Sequence, residues 1–560
     1  MQASFLRPAS VSLLVASVLL GGCADFSGIA PQAQMRSATG TGLKDPPPLT
    51  PADLSAISAP NPWWEQFGDP KLNALVEQAL QTHPTLRVAQ ARTERARAAI
   101  AGVDAARQVQ VVGGADASRQ RFSARGFYPP PIGGSEYEIA TVQATASYEF
   151  DWFGKNRAAL NAAVGQTAAA QADAQAARLL LATQVTRHYI ALLRLQAQRT
   201  LLQQTAAQRQ RIGEISALRF RAGLESELEP LLNNPSVPEV LRQIAELDEQ
   251  FALTENALAA LTGRPVFGAG VQATPLGRLQ DLRSTPLPET LLLDLLGRRP
   301  DIAAARWRIE ASLHEVELAK TQFYPNINLA AAFGLNSVGL GNIGASNTDQ
   351  WSVGPAIRLP LFDGGRLRAN LRGKATEVDA AIEAYNVLVL DAAHEAADQW
   401  VSAAAIQQQQ LQQATHQANA LALYRIAQQR FVAGLTHQTT VLQAEGLLLA
   451  HQRMAVDLAA RALDTQALLM RAVGGSVAAT PNTAGRYAHH RDTPARPAHI
   501  GAMPTARHAR LSAPTTRDSV AGRQNGSRIP SAYASSEGDG SDGRDGRDAH
   551  AWQETPSFEA

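Results

Sequence analysis

The sequence predicts a mixed α and β membrane protein with an internal two-fold repeat. Three observations predict this class: two proline-free segments of 66 residues at 155–220 and 366–431, four segments of alternating apolar and polar residues, and a duplicated turn motif. The motif Arg-Phe-Arg-Ala-Gly-Leu at 219–224 returns as Arg-Phe-Val-Ala-Gly-Leu at 430–435, with five of six residues identical at an offset of 211. We therefore expect a duplicated domain of about 210 residues rather than a short solenoid repeat.

Residues 1–22 have the pattern of a secretory signal peptide. Arg7 precedes a largely apolar run at 11–20, which is too short to span a bilayer. Two glycines then precede Cys23, an arrangement that resembles the lipobox of bacterial lipoproteins. This resemblance implies cleavage before Cys23, attachment of N-acyl and S-diacylglycerol lipid to it, and, with Asp25 third in the mature chain, export to the outer membrane. The alternative is a free cysteine at the end of an ordinary signal peptide.

Two segments outside the repeat are predicted not to fold by themselves. Residues 23–61 form an extended, acylated leader rich in Pro, Ala, Ser and Gly. Residues 476–560 form a disordered, low-complexity tail with too few large apolar side chains to build a core. Its five histidines are interpreted as solvated rather than as a metal site. The first repeat is assigned to 62–275 and the second to 285–475.

The composition excludes several classes of protein. Lys and Arg number 51 and Asp and Glu 50, so the chain lacks the basic excess of a nucleic-acid-binding protein. One cysteine excludes an internal disulfide and a cysteine-rich zinc site. There is no Walker-type phosphate loop and no Gly-x-Ser-x-Gly motif, and the seven histidines outside the tail are isolated in sequence. We expect no enzyme, no catalytic residue, no metal and no cofactor besides the lipid at Cys23.

The two proline-free segments predict very long helices. At a rise of about 1.5 Å per residue, each would be roughly 100 Å long. Because no globular core needs such helices, we expect them to pack side by side as coiled coil, with alanines at the contacts. No stretch of 18 apolar residues follows the signal peptide, so no transmembrane helix is predicted.

Four segments predict strands with one apolar and one polar face. The clearest is 140–152, where Ala, Val, Tyr, Phe and Trp alternate with Thr, Gln, Ser, Glu and Asp. Partners are expected at 109–118, 327–335 and 351–361, the last interrupted by two prolines. Four strands cannot close a barrel, but three chains would supply twelve and leave no exposed edge. The alternative is a sheet with one face in water.

Several motifs, in one order along the chain, resemble a known family. They are Trp-Trp-Glu-Gln-Phe-Gly-Asp-Pro-Lys-Leu-Asn-Ala-Leu at 63–75, Arg-Pro-Asp-Ile at 299–302, Phe-Tyr-Pro-Asn-Ile at 323–327 and the two Ala-Gly-Leu turns. The chain is similar to the TolC-like outer membrane factors, specifically their NodT-type lipoprotein branch. The resemblance implies a homotrimer in the Gram-negative outer membrane, with a twelve-stranded β-barrel continued by an α-helical coiled-coil tunnel through the periplasm.

The resemblance also implies a function and partners. Members of the family are passive exit ducts for small toxic compounds, bound to a periplasmic adaptor (membrane fusion protein) and an inner-membrane transporter of the resistance-nodulation-division (RND) type. The alternatives are a duct for ATP-driven type I protein secretion and a structural coiled-coil lipoprotein that joins envelope layers.

The two Ala-Gly-Leu turns are the candidate functional sites. Glycine can adopt the left-handed conformation that ends a helix, so each turn should reverse a long helix. In the family these turns form the periplasmic tip, which implies six candidates for adaptor docking: Gly223, Leu224, Ser226, Gly434, Leu435 and Thr436. The alternative is a turn with a structural role alone.

The sequence departs from the family pattern beside both tips. Acidic residues usually ring and constrict the pore there. The two usual positions in the second copy hold Thr440 and Gln443, whereas Glu229 keeps a carboxylate in the first, either as a pore ring or as a solvated charge. Three prolines within 230–238 predict that the next helix restarts near 238 or 239 and that the first tip is longer than usual.

Overall fold

A computed structural model describes five stretches of the chain: 26–35, 62–228, 236–265, 276–284 and 299–475. The predictions for Cys23, for Glu229, for most of the leader and for the tail at 476–560 fall outside the described residues and stay predictions. Within the described stretches, no helix is long and apolar enough to cross a bilayer.

The two repeats contain the same elements in the same order. A 3-10 helix at Trp63–Phe67 and helix α1 (Pro70–Thr82) come first. The first repeat continues with α2 (Pro84–Ala106), β1 (Gln110–Arg121), β2 (Glu136–Glu149), α3 (Lys155–Arg221) and α4 (Ser236–Thr262). The second consists of α5 (Pro300–Thr321), β3 (Asn326–Val338), β4 (Asp349–Arg358), α6 (Arg366–Val432) and α7 (Gln438–Ala472). Helix, two strands, long helix and shorter helix therefore occur twice.

The long helices α3 and α6 have 67 residues each, one more than predicted. Both begin after a left-handed glycine, Gly154 with φ 78° and Gly365 with φ 87°. Asp363 caps the start of α6, since its carboxylate accepts hydrogen bonds from the backbone N–H groups of Leu367 at 2.7 Å and Gly365 at 2.9 Å. These backbone hydrogen bonds hold the pKa of Asp363 below its usual value.

The helices share two apolar cores. Helix α3 packs against α2 and α4 of its own repeat and against α5 and α7 of the other, whereas α6 packs against α5 and α7. In one core, Trp63 and Phe67 pack against the middle of α3 and the end of α7. The other lies between α5 and α6 and includes Ile29 of the leader. The two repeats are thus interleaved through α3 rather than separated.

Buried polar contacts fix the ends of these helices. Tyr189 of α3 donates a hydrogen bond to Asp69 at 2.5 Å, and burial followed by this hydrogen bond raises the pKa of Tyr189. The Arg-Pro-Asp-Ile motif joins three helices, because Arg299 donates to Asp301 at 2.7 Å, to Glu395 of α6 at 3.0 Å and to the carbonyl of Ala472 at 3.2 Å. The motif is therefore explained by helix packing.

Several predicted boundaries were wrong. β1 and β3 each run three residues past their predicted ends, to Arg121 and Val338. β2 runs from Glu136 to Glu149 rather than over 140–152, because β1 pairs with it as far as Glu136. β4 ends at Arg358, two residues before Pro360, which has no N–H group for a ladder. α4 begins at Ser236 rather than near 238, because a proline is tolerated in the first helical turn, where N–H groups have no helical partner.

Candidate functional site

The four strands form one antiparallel sheet in the order β1-β2-β3-β4. Its register aligns apolar residues of all four strands in rows, such as Val111, Ala146, Ala331 and Val353, and then Gly113, Ala144, Phe333 and Trp351. The row between them is Val112, Thr145, Ala332 and Ser352. Because successive side chains point to opposite faces, Ala144 marks an apolar face and Thr145 a more polar one.

The apolar face of the sheet is not covered by any other described residues. Trp351, Phe333 and Val353 are 72%, 65% and 62% exposed, respectively. At the end of β2, the rings of Tyr148 and Phe150 contact edge to face with centroids 5.0 Å apart. A continuous apolar face of this kind belongs against another apolar surface, and an aromatic border is typical of a membrane interface.

The sheet also has two free edges. β1 pairs only with β2, and β4 only with β3, among the described residues. Each edge leaves a row of backbone N–H and C=O groups without a partner strand, which is a template for pairing with another chain. The sheet is therefore open at both sides within one copy.

Both predicted turns end their helices as Schellman motifs. In each, the glycine N–H donates to the carbonyl three residues earlier at 2.9 Å, and the leucine N–H to the carbonyl five residues earlier at 2.8 Å. Gly223 and Gly434 have φ of 73° and 70°. Leu224 and Leu435 are 70% and 68% exposed, so each tip presents an apolar side chain.

The other candidates lie around these tips. Ser226 is exposed beyond the first turn, and Thr436 is half-buried beyond the second. Thr440 and Gln443 are exposed on the first turns of α7, and their spacing of three residues places them on one face of that helix. Glu229 is not among the described residues, so the structure does not relate it to them.

An ion pair that sequence reasoning missed lies within the first tip. The guanidinium Nε of Arg219 is 2.5 Å from Glu225 Oε1, and the Ser216 hydroxyl donates to Glu225 Oε2 at 3.0 Å. The reversal of the helix brings these side chains together. The signal available in the sequence was the spacing of an arginine, a glycine turn and a glutamate within seven residues.

A second missed feature is the attachment of the leader to α6. The backbone N–H groups of Gln32 and Ala33 both donate to Asp379 Oδ1 at 2.7 Å. Phe26 contacts Phe323, just before β3, edge to face with ring centroids 5.9 Å apart. Residues 26–35 of the leader therefore lie along α6, with Phe26 close to the start of β3.

The described residues contain no group of three or more His, Cys, Asp or Glu side chains that could hold a metal ion. His416 and His451 are isolated in sequence but not in the fold, where their rings stack across α6 and α7 with centroids 5.6 Å apart. Pairing of the two helices brings together these residues, which are far apart in sequence.

Comparisons with known proteins agree with this architecture. The sequence model of the outer membrane efflux protein family matches residues 75–264 and 291–475. The multidrug resistance outer membrane protein MdtP of Shigella flexneri is 32% identical over 487 residues, which cover 84% of this chain and 96% of MdtP. The putative multidrug resistance outer membrane protein MdtQ of Escherichia coli strain K12 is 29% identical over 460 residues, covering 80% and 95%.

A solved structure gives the same result. The crystal structure of the outer membrane protein VceC from Vibrio cholerae matches with a TM-score of 0.66 at 33% identity, covering 74% of this chain and 99% of VceC. The predicted family is confirmed, as are the outer membrane location and the role of an efflux channel that reaches into the periplasm, whereas the lipoprotein branch stays a prediction. This role is transport. The chain belongs to the outer membrane efflux protein family.

Proposed function

We propose that three copies of this chain form the outer membrane duct of a tripartite pump for drug-like compounds. The sheet carries this proposal, since it has one uncovered apolar face and two free edges. Pairing of β4 in one copy with β1 in the next, repeated three times, would give a twelve-stranded barrel without edges. The apolar face would meet lipid, and the face of Thr145 would meet the water-filled pore.

The height of the apolar face supports this arrangement. From Ala140 to Phe150 the chain extends about 33 Å at about 3.3 Å per residue. A strand tilt of about 40° reduces this length to about 25 Å along the membrane normal, which is the height of the apolar band of outer membrane barrels.

The unequal burial of two equivalent helices supports closure of the helical part. Helix α5 lies between α3 and α6 and has ten buried residues, whereas α2 packs mainly against α3 and has two. In a trimer, α6 of the neighbouring copy would cover the free side of α2 as it covers α5 within its own chain. The same contact between α6 of one copy and α2 of the next, made three times, would close the helices into a tunnel.

The lipid anchor at Cys23 fits the position of the leader. Cys23 is three positions before Phe26, a distance of at most about 10 Å in extended chain. Phe26 lies against Phe323 at the start of the sheet. The acyl chains would therefore enter the periplasmic leaflet of the outer membrane, on the side of the sheet from which the helices extend.

The exposed tips are the proposed contact with the periplasmic adaptor, which would join the duct to an inner-membrane RND transporter. Leu224 and Leu435 supply exposed apolar side chains on rigid turns. With Thr440 and Gln443 at the expected constriction, the residues there are neutral, so we expect no charge filter from these two positions. The named relatives, which are multidrug resistance proteins, support small drugs as the cargo.

Purified full-length protein tests the duct. We expect a heat-resistant trimer on denaturing gels and discrete conductance steps when it is added to a planar lipid bilayer. In cells deprived of their other outer membrane ducts, expression should lower accumulation of a fluorescent efflux substrate, and Cys23→Ser should reduce the amount of assembled trimer. A monomer without conductance would contradict the proposal.

A further inference from the structure

The two tips are copies of one structure, so each serves as an internal control for the other. Residues 216–228 of the first correspond to 427–439 of the second at the offset of 211. Both end a helix of 67 residues with the same pair of backbone hydrogen bonds. Differences in what the tips can bind therefore come from their side chains.

The first tip neutralises its own charges. Residues 216–228 contain two cations and two anions: Arg219, Arg221, Glu225 and Glu227. Arg219 Nε forms the ion pair with Glu225 Oε1 at 2.5 Å, and the Ser216 hydroxyl donates a hydrogen bond to the other carboxylate oxygen, Oε2. Arg219 therefore already has a carboxylate partner within its own tip.

The second tip has no such pair. Residues 427–439 contain one cation, Arg430, and no anion, because the positions of Ser216 and Glu225 are taken by Ala427 and Thr436. Arg430 is exposed, and in the described part of the chain no carboxylate lies within ion-pair distance of it. The C-terminal dipole of the helix favours a cation equally at both tips, so it does not account for the difference.

The second tip also presents exposed apolar residues close to Arg430 in sequence. Val432 is 83% exposed, where the first tip has Arg221, and Phe431 and Leu435 are exposed as well. An arginine among aromatic and aliphatic side chains is the composition of a protein interface centre rather than of a solvated turn.

We propose that Arg430 pairs with an Asp or Glu carboxylate on the tip of the adaptor hairpin, and that the second tip alone makes this contact. The inference rests on the proposed docking of an adaptor at the tips. It adds that the adaptor distinguishes the two tips by the arginine of the second, which has no carboxylate partner among the described residues. A guanidinium donates two parallel hydrogen bonds to a carboxylate, which fixes orientation as well as attraction.

Zero-length crosslinking in membranes from cells that express the whole pump tests the pair directly. Arg430→Lys puts a primary amine at the second tip, and a water-soluble carbodiimide joins an amine to a touching carboxylate with loss of water. Mass spectrometry should find an amide bond from position 430 to an Asp or Glu of a periplasmic membrane fusion protein. In the matched control, Arg219→Lys, the bond should form within the chain, to Glu225.

A second variant tests the same inference without removing Arg430. Thr436→Glu places a carboxylate where the first tip has Glu225, so that Arg430 can form an ion pair within its own tip. Capture of the adaptor by a photoreactive group at position 435 should then fall about three- to tenfold. The capture that remains should depend less on salt concentration. Trimer formation should be unchanged. Unchanged capture, together with no amide bond from position 430 to another protein, would overturn the inference and leave adaptor docking intact. No adaptor captured from Leu435 would refute docking itself and the inference with it.

Discussion

A single arginine on the sheet distinguishes its two faces. Ala144 lies midway along the apolar face of β2, opposite Gly113 and Phe333. Arginine at the midplane of a membrane barrel costs about 2–4 kcal/mol on the lipid face. Because the three copies carry the change at well-separated positions, Ala144→Arg should destabilise the trimer by about 6–12 kcal/mol in total. Thr145→Arg, one residue along on the opposite face, should cost far less.

The assay is the fraction of heat-resistant trimer in purified outer membranes, at matched expression. We expect Ala144→Arg to abolish the trimer and Thr145→Arg to retain most of it. Loss with Thr145→Arg and retention with Ala144→Arg would show that the assignment of the faces is reversed. Full assembly of both variants would show that this sheet does not lie in a membrane.

Three further predictions concern the helices and the leader. Asp379→Ala removes the acceptor of two backbone hydrogen bonds, so amide exchange at 32–33 should accelerate at least about tenfold by mass spectrometry. Gly434→Ala should strain the second tip by about 1–2 kcal/mol, because φ is 70°, and should lower adaptor capture, whereas Gly434→Asn should restore part of it. Burial, and then the nearby Arg187, lower the pKa of His188, so the unfolded chain binds a proton more readily than the folded chain. The folded state is therefore favoured fully above about pH 6.5 and loses stability as the pH falls below that value. His188→Gln should reduce the change in melting temperature between about pH 7.5 and about pH 5.5.

Local patterns explain which parts of the fold could be predicted. The absence of proline and the run of helix-forming residues determine α3 and α6 within one residue at their ends. The alternation along 140–152 predicts which residues of β2 lie on each face, because successive side chains of a strand point to opposite faces. The glycine turns follow from a conformation that few other residues adopt.

Contacts between distant residues could not be predicted in this way. The hydrogen bond from Gln32 to Asp379 joins residues 347 positions apart. No sequence pattern distinguishes Asp379 from the other acidic residues of its helix. Tyr189 and Asp69 are likewise brought together only by the packing of α1 on α3. At the tips, the repeat located both turns, but the difference between Arg219 and Arg430 depends on which side chains the reversal brings within reach.

Disulfide crosslinking can show whether β4 of one copy pairs with β1 of the next, which is the contact that would close the barrel. Val112→Cys on β1 is combined in one chain with a cysteine at each even-numbered position from 350 to 356 on β4, which share its face of the sheet. After mild oxidation, we expect covalent species of two and three chains and none larger, because the ring closes at three. A ladder that extends beyond three chains, or no bond between chains at any position, would rule out a closed ring of three copies.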